Sequence, residues 1–88
     1  MSPKRPDEEM KTKSEFGTTI RIRREAFGHS QRELARLVGV KASHIAYLEN
    51  GQRRPSLGLL VRLAKELKVR PSKLALQAFP ILAELGMK

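Results

Sequence analysis

The chain has 88 residues, a formal net charge of +9, 40% apolar residues and no cysteine. That length holds one small domain, and the lack of thiols excludes disulfide frameworks, thiolate zinc sites and cysteine nucleophiles. The excess of Lys and Arg is spread along the chain and suits a polyanionic partner, although charge also serves solubility.

Residues 1–14 combine Pro3, Pro6 and charges with almost no apolar content, the composition of a flexible arm. Lys4, Arg5, Lys11 and Lys13 give that arm cations for an anionic partner, while Asp7, Glu8 and Glu9 work against such contact. The arm also lacks the apolar core of a signal peptide, and the longest apolar runs are too short to span a membrane. A cytoplasmic protein is the expectation.

From 15 to 27, Phe16, Ile20 and Phe27 recur on one face at helical spacing. Gly28 follows where a left-handed cap ends a helix. Ser30 and Glu33 then form an S-x-x-E capping box that opens a second helix. Leu34, Leu37 and Val38 supply its apolar face, and Ala35 is small enough for two helix backbones to approach. Gly39 ends it. A third helix over 42–50 turns Ile45 and Leu48 inward and stops at Gly51.

Residues 51–55 read GQRRP, a basic loop closed by Pro55. Ser56 caps a fourth helix over 57–67, with Leu60, Leu63, Ala64 and Leu67 inward. Gly58 in its first turn costs about 1 kcal/mol relative to alanine. Pro71 suits the first position of a fifth helix carrying Leu74, Leu76, Ala78 and Phe79. Pro80 interrupts that helix or starts another short turn over 81–85. No segment alternates with period two. The expected architecture is all-α with five helices: an arm (1–14), a folded domain (15–79) and an apolar tail (80–88). The tail can serve as a dimer seam, a surface for another protein, or core.

His29 and His44 have no companion cysteine and no H-E-x-x-H pattern, and no glycine-rich phosphate loop or paired carboxylates stand out. Neither catalysis, metal nor cofactor is expected.

Several residues act together as a signature: Ser30-Gln31-x-Glu33-Leu34-Ala35, Gly39-Val40, Ile45, Leu48-Glu49-Asn50-Gly51 and Arg54-Pro55-Ser56. With this set, the stretch from about 16 to 76 resembles the phage lambda-repressor-like, XRE-type helix-turn-helix domain. The resemblance implies a DNA-binding transcriptional regulator, such as a repressor, whose second motif helix lies in the major groove.

Carried over position by position, Lys41, Ala42, Ser43 and Tyr47 face base edges, with His44 beside them. Lys41 can donate to guanine O6 and N7, Ser43 can pair with several bases, and Ala42 can meet a thymine methyl. The set departs from members that read adenine with paired Gln or Asn. Gln31 matches a position that contacts a backbone phosphate at a helix N-terminus, and Asn50, Arg53 and Arg54 match a phosphate-gripping loop. Arg24 and Glu49 match a partly buried ion pair whose value is orientation more than net stability.

One helix reads few base pairs, so the resemblance implies a homodimer on an inverted repeat of double-stranded DNA. Nucleoid association in the cytoplasm goes with that reading. Control is expected through the protein's own concentration, as in small autoregulators that include restriction–modification controller proteins. An antitoxin that also holds a toxin partner is the alternative, and contact with RNA polymerase from a neighbouring site is a further expectation.

Overall fold

The structure, a computed structural model, describes residues 15–86. The arm of residues 1–14 lies outside the described residues. Six helices follow one another: α1 (Glu15–Ala26), α2 (Gln31–Val38), α3 (Ala42–Glu49), α4 (Leu57–Leu67), α5 (Pro71–Ala78) and α6 (Ile81–Glu84). Among the described residues there is no strand.

The helices begin and end where local chemistry demands it. At α2, the Ser30 hydroxyl accepts from the Glu33 amide at 3.0 Å, and Glu33 Oε1 accepts from the Ser30 amide at 3.3 Å. Hydrogen bonds to the Glu33 carboxylate, first from the Ser30 amide and then from the Ser30 hydroxyl, hold that carboxyl below its ordinary value. Ser56 caps α4 in the same way, accepting from the Leu59 amide at 3.2 Å.

The C-termini of α1, α2, α3 and α4 share one device. The amides of His29, Val40, Gln52 and Val69 reach back five residues to the carbonyls of Arg24, Ala35, Tyr47 and Ala64. This closure requires a left-handed residue just before the donor. Gly28, Gly39 and Gly51 supply it at φ of 73°, 77° and 75°, and Lys68 does so at 54°.

Two arginines complete these ends. Arg62 Nη1 donates to the Val38 carbonyl at 3.0 Å, and Arg23 Nε donates to the Leu67 carbonyl at 3.0 Å. Each places a cation at the negative end of a helix, α2 and α4 respectively.

A single core joins the first five helices. Ile20, Leu34, Val38, Ile45, Leu48, Leu60, Leu63, Leu67 and Leu74 are all fully buried. Gly17 marks a close backbone approach in that core. A Cβ there would collide with the main-chain carbonyls of Leu48 and Glu49 at the end of α3. Helix α1 therefore lies directly against the C-terminal turn of α3.

Two expectations need correction. Phe27 does not join the inward face of α1: the helix ends at Ala26, and Phe27 is 41% exposed at the turn into Gly28. Leu37 is 43% exposed, because Leu34, Ala35 and Val38 make the buried face of α2 and the small Ala35 turns that face away from Leu37. The short turn expected after Pro80 is a sixth helix, Ile81–Glu84. Leu82 packs partly against the core, while Ile81 and Leu85 are exposed.

The two helical glycines predict opposite responses to alanine. Gly17→Ala gains about 1 kcal/mol of helix propensity, but overpacking against backbone that cannot rotate aside costs about 1–3 kcal/mol. Net destabilisation is expected. At Gly58 a Cβ meets only the end of Arg62 at 3.7 Å, so Gly58→Ala is expected to stabilise by about 0.5–1 kcal/mol. Urea denaturation should move the two midpoints in opposite directions.

Candidate nucleic-acid interface

Helix α3 has two faces set by its sequence. Ile45, Leu48 and Glu49 are buried, whereas Lys41, Ser43 and Tyr47 are exposed and His44 is half-buried. Lys41 is the N-cap residue, in extended conformation with ψ 150°, and no side chain caps this end. The His44 amide donates to the Lys41 carbonyl at 2.9 Å, so the amides ahead of it are the ones left to an outside acceptor, and the helix dipole favours an anion there.

Val40, Lys41, Ser43, His44, Tyr47 and Arg53 line one shallow open depression. Within it the Arg53 guanidinium carbon sits 5.4 Å from the centroid of the Tyr47 ring, within cation–π distance. The structure therefore brings together four of the five residues expected at base edges, and adds Arg53 to them. Ala42 departs from the group. It is half-buried, packs partly against the core, and lines a separate depression with Arg32, Arg36 and Lys41.

The residues expected at phosphate also separate. Asn50 is exposed at the end of α3, its amide donating to the Ala46 carbonyl at 3.0 Å. Arg54 turns away from Arg53 and rests over the Phe79 ring at 5.8 Å. Gln31 is half-buried, and its Nε2 donates to Glu49 Oε1 at 3.0 Å. The amide nitrogen carries a second hydrogen, so this bond leaves it one donor for another acceptor.

Glu49 is the centre of a polar knot. Arg24 Nε donates to Glu49 Oε2 at 2.6 Å, and Arg24 Nη2 donates to Oε1 at 3.0 Å. The pair is bidentate, the geometry that suits guanidinium and carboxylate best. Arg24 Nη1 also donates to the His29 carbonyl at 2.9 Å. The Glu49 side chain is 2% exposed and that of Arg24 11%. The bond to Glu49 raises the Arg24 pKa further, outweighing the opposing effect of burial.

A family model described as helix-turn-helix, HTH_3, matches residues 20–74. The chain belongs to this helix-turn-helix family. It is a transcriptional regulator with a lambda-repressor-like DNA-binding domain, and members of this HTH_3 family are DNA-binding regulators, not enzymes.

An uncharacterized HTH-type transcriptional regulator of Archaeoglobus fulgidus is 42% identical over 53 residues, spanning 60% of this chain and 76% of that protein. The restriction-modification controller protein C.AhdI of Aeromonas hydrophila is 39% identical in its crystal structure. The match covers 70% of this chain and 94% of the other, with a TM-score of 0.65. A hypothetical transcription factor from Neisseria shares the fold at 24% identity and a TM-score of 0.65, across 100% and 97% of the two chains. Among the described residues, no helix is long and apolar enough to cross a membrane.

Sequence reasoning missed Arg53 as part of the α3 depression and Gln31 as a partner of Glu49. A tyrosine six residues before an arginine, across a helix end closed by glycine, is a weak signal for the first. The second had none beyond the buried carboxylate itself.

The knot makes a testable energetic claim. Glu49→Ala leaves Arg24 buried without its partner and should cost about 3 kcal/mol. Replacing both charges, Arg24→Met with Glu49→Leu, should recover most of that loss. Chemical denaturation of the two variants compares them directly, and a double variant as unstable as the single one would contradict the assignment.

Proposed function

We propose that this regulator acts as a homodimer on an inverted-repeat operator in double-stranded DNA, with α3 in the major groove. The observation that carries the reading is the exposed cluster of Lys41, Ser43, His44 and Tyr47 on one side of α3, with Arg53 at its edge. An ammonium, a hydroxyl, an imidazole and a phenol on a helix face supply the donors and acceptors that base edges require. Ala42 contributes only its exposed edge.

Gln31, Asn50, Arg53 and Arg54 are the phosphate contacts in this reading. The uncapped N-terminus of α3 adds main-chain donors. Dimerisation draws support from the end of the chain after Pro80, where Ile81 is 60% and Leu85 75% exposed. Burial of such partly exposed side chains against a second copy is favourable by at most about 1.5–3 kcal/mol each. In this reading the chain is a small autoregulator that acts by occupying a promoter; a restriction-modification controller protein of Aeromonas hydrophila shares its fold. The setting proposed for it is the cytoplasm, on the nucleoid.

Competition between specific and random duplex DNA separates the two classes of contact. Lys41→Ala or Tyr47→Ala should weaken specific binding by about 1–3 kcal/mol while leaving random binding nearly unchanged. Equal loss on both would remove them from base readout. Arg54→Ala should weaken both DNAs alike and lower the slope of log K against log salt by about one phosphate contact. An unchanged slope would take Arg54 out of the contact set.

A further inference from the structure

An open depression lies at the corner between α4 and α5, lined by Thr19, Arg23, Lys68, Val69, Arg70 and Lys73. Four of these six residues are cations, drawn from α1, the α4–α5 connection and α5, and no carboxylate lines the space. None of the six lies on α2 or α3, so this surface is separate from the face proposed to meet DNA bases.

Gathering like charges costs free energy that an anion offsets. Arg23 is half-buried and already fixed in direction. Its Nε donates to the Leu67 carbonyl at 3.0 Å, its Nη2 donates to the Lys68 carbonyl at 3.3 Å, and its guanidinium carbon sits 5.4 Å from the centroid of the Phe27 ring. Those bonds leave further N–H donors of the guanidinium for an outside acceptor. Lys68, Arg70 and Lys73 are exposed around it.

Lys68 also carries a conformational cost. At the ends of α1, α2 and α3 the left-handed residue is a glycine, whereas the same closure at the end of α4 uses Lys68 at φ 54°. It is the one non-glycine residue at positive φ among the described residues. A side chain in that conformation costs free energy that glycine avoids, and such strain tends to be kept where function uses the residue. Arg23 already supplies the cation that this helix end favours, so the fold alone gives no reason for a second one. The side chain retained is a cation at the depression.

We propose that this corner is a phosphate-binding site, separate from the α3 face. Arg23 directs its remaining donors at phosphate oxygens, and Lys68, Arg70 and Lys73 balance the charge. Arginine supplies the planar fork and lysine the point charge, both of which suit phosphate. A diphosphate group, with several negative charges in a small volume, matches such a cluster. The phosphates belong either to a free diphosphate compound or to a DNA backbone, and the chemistry of capture is the same. The site itself does not rest on the DNA reading above.

Inorganic pyrophosphate is the probe, titrated into the isotope-labelled full chain at constant ionic strength with chloride as the balancing anion. NMR should show saturable binding, with shifts centred on Thr19, Lys68, Val69, Arg70 and Lys73. Lys73→Gln should weaken that binding about tenfold, the loss of one charge-assisted contact. Lys68→Gly should weaken it as much, yet raise the thermal midpoint of the ligand-free chain, because glycine relieves the left-handed strain. Lys65→Gln removes an exposed cation of α4 outside the depression and should leave the affinity unchanged. Shifts spread over Lys and Arg generally, equal losses in Lys65→Gln and Lys73→Gln, or a Lys68→Gly chain that keeps its affinity would overturn the site.

Binding to random duplex DNA as a function of salt separates the two sources. With DNA as the occupant, Lys68→Gly and Lys73→Gln each lower the slope of log K against log salt by about one contact. Lost pyrophosphate binding with an unmoved slope assigns the site to a free diphosphate compound. A chain that selects a DNA sequence but takes up no pyrophosphate defeats this inference alone. A chain that binds pyrophosphate at these residues but binds no DNA defeats the DNA reading and leaves the site standing.

Discussion

The buried carboxylate of Glu49 is the constraint on which the arrangement of the first three helices depends. It sits at the last residue of α3, where the helix dipole already presents negative charge. An acid there, 2% exposed, needs a cation and a full set of donors. Arg24 from α1 supplies two and Gln31 from α2 a third. Because Arg24 also holds the His29 carbonyl, the ends of α1, α2 and α3 and the turn between the first two meet at one point. An apolar replacement of similar volume can match such a knot in stability, but it lacks the directional bonds that set helix angles. The knot therefore matters most for where α3 points.

Steric constraint works at the same place. Gly17 brings α1 onto the Leu48 and Glu49 carbonyls, so the turn that carries Glu49 is held from one side by contact and from the other by hydrogen bonds. Two sets of cations play different parts. Arg23, Arg24 and Arg62 bind carbonyls or a carboxylate within the fold. Lys41 and Arg53 line the open face beside Tyr47. The net charge of +9 thus overstates what is free for a polyanion.

Much of the fold was legible because its signals are local. The Ser30–Glu33 box, the glycines at positions 28, 39 and 51, and Pro71 mark helix ends through bonds made within a few residues. The inward leucines of α4 follow from period alone. Periodicity gives neither the rotational setting of a short helix nor its last residue, and so Leu37 and Phe27 were misplaced. The cluster on α3 was legible position by position except at Ala42, whose depth depends on how closely α2 approaches. What Gln31, Arg54 and Gly17 touch depends on residues 18, 25 and 31 positions away along the chain (the last from Gly17 to Leu48). No local pattern encodes such distances.

Base reading by α3 in a twofold complex is the step that follows from this geometry. Selection of preferred sites from random duplex DNA, at near-physiological salt and with the full chain, tests it most directly. The account predicts enrichment of an inverted repeat whose half-sites are about one helical turn apart. Recovery of no common sequence, with binding that depends only on salt, would contradict it.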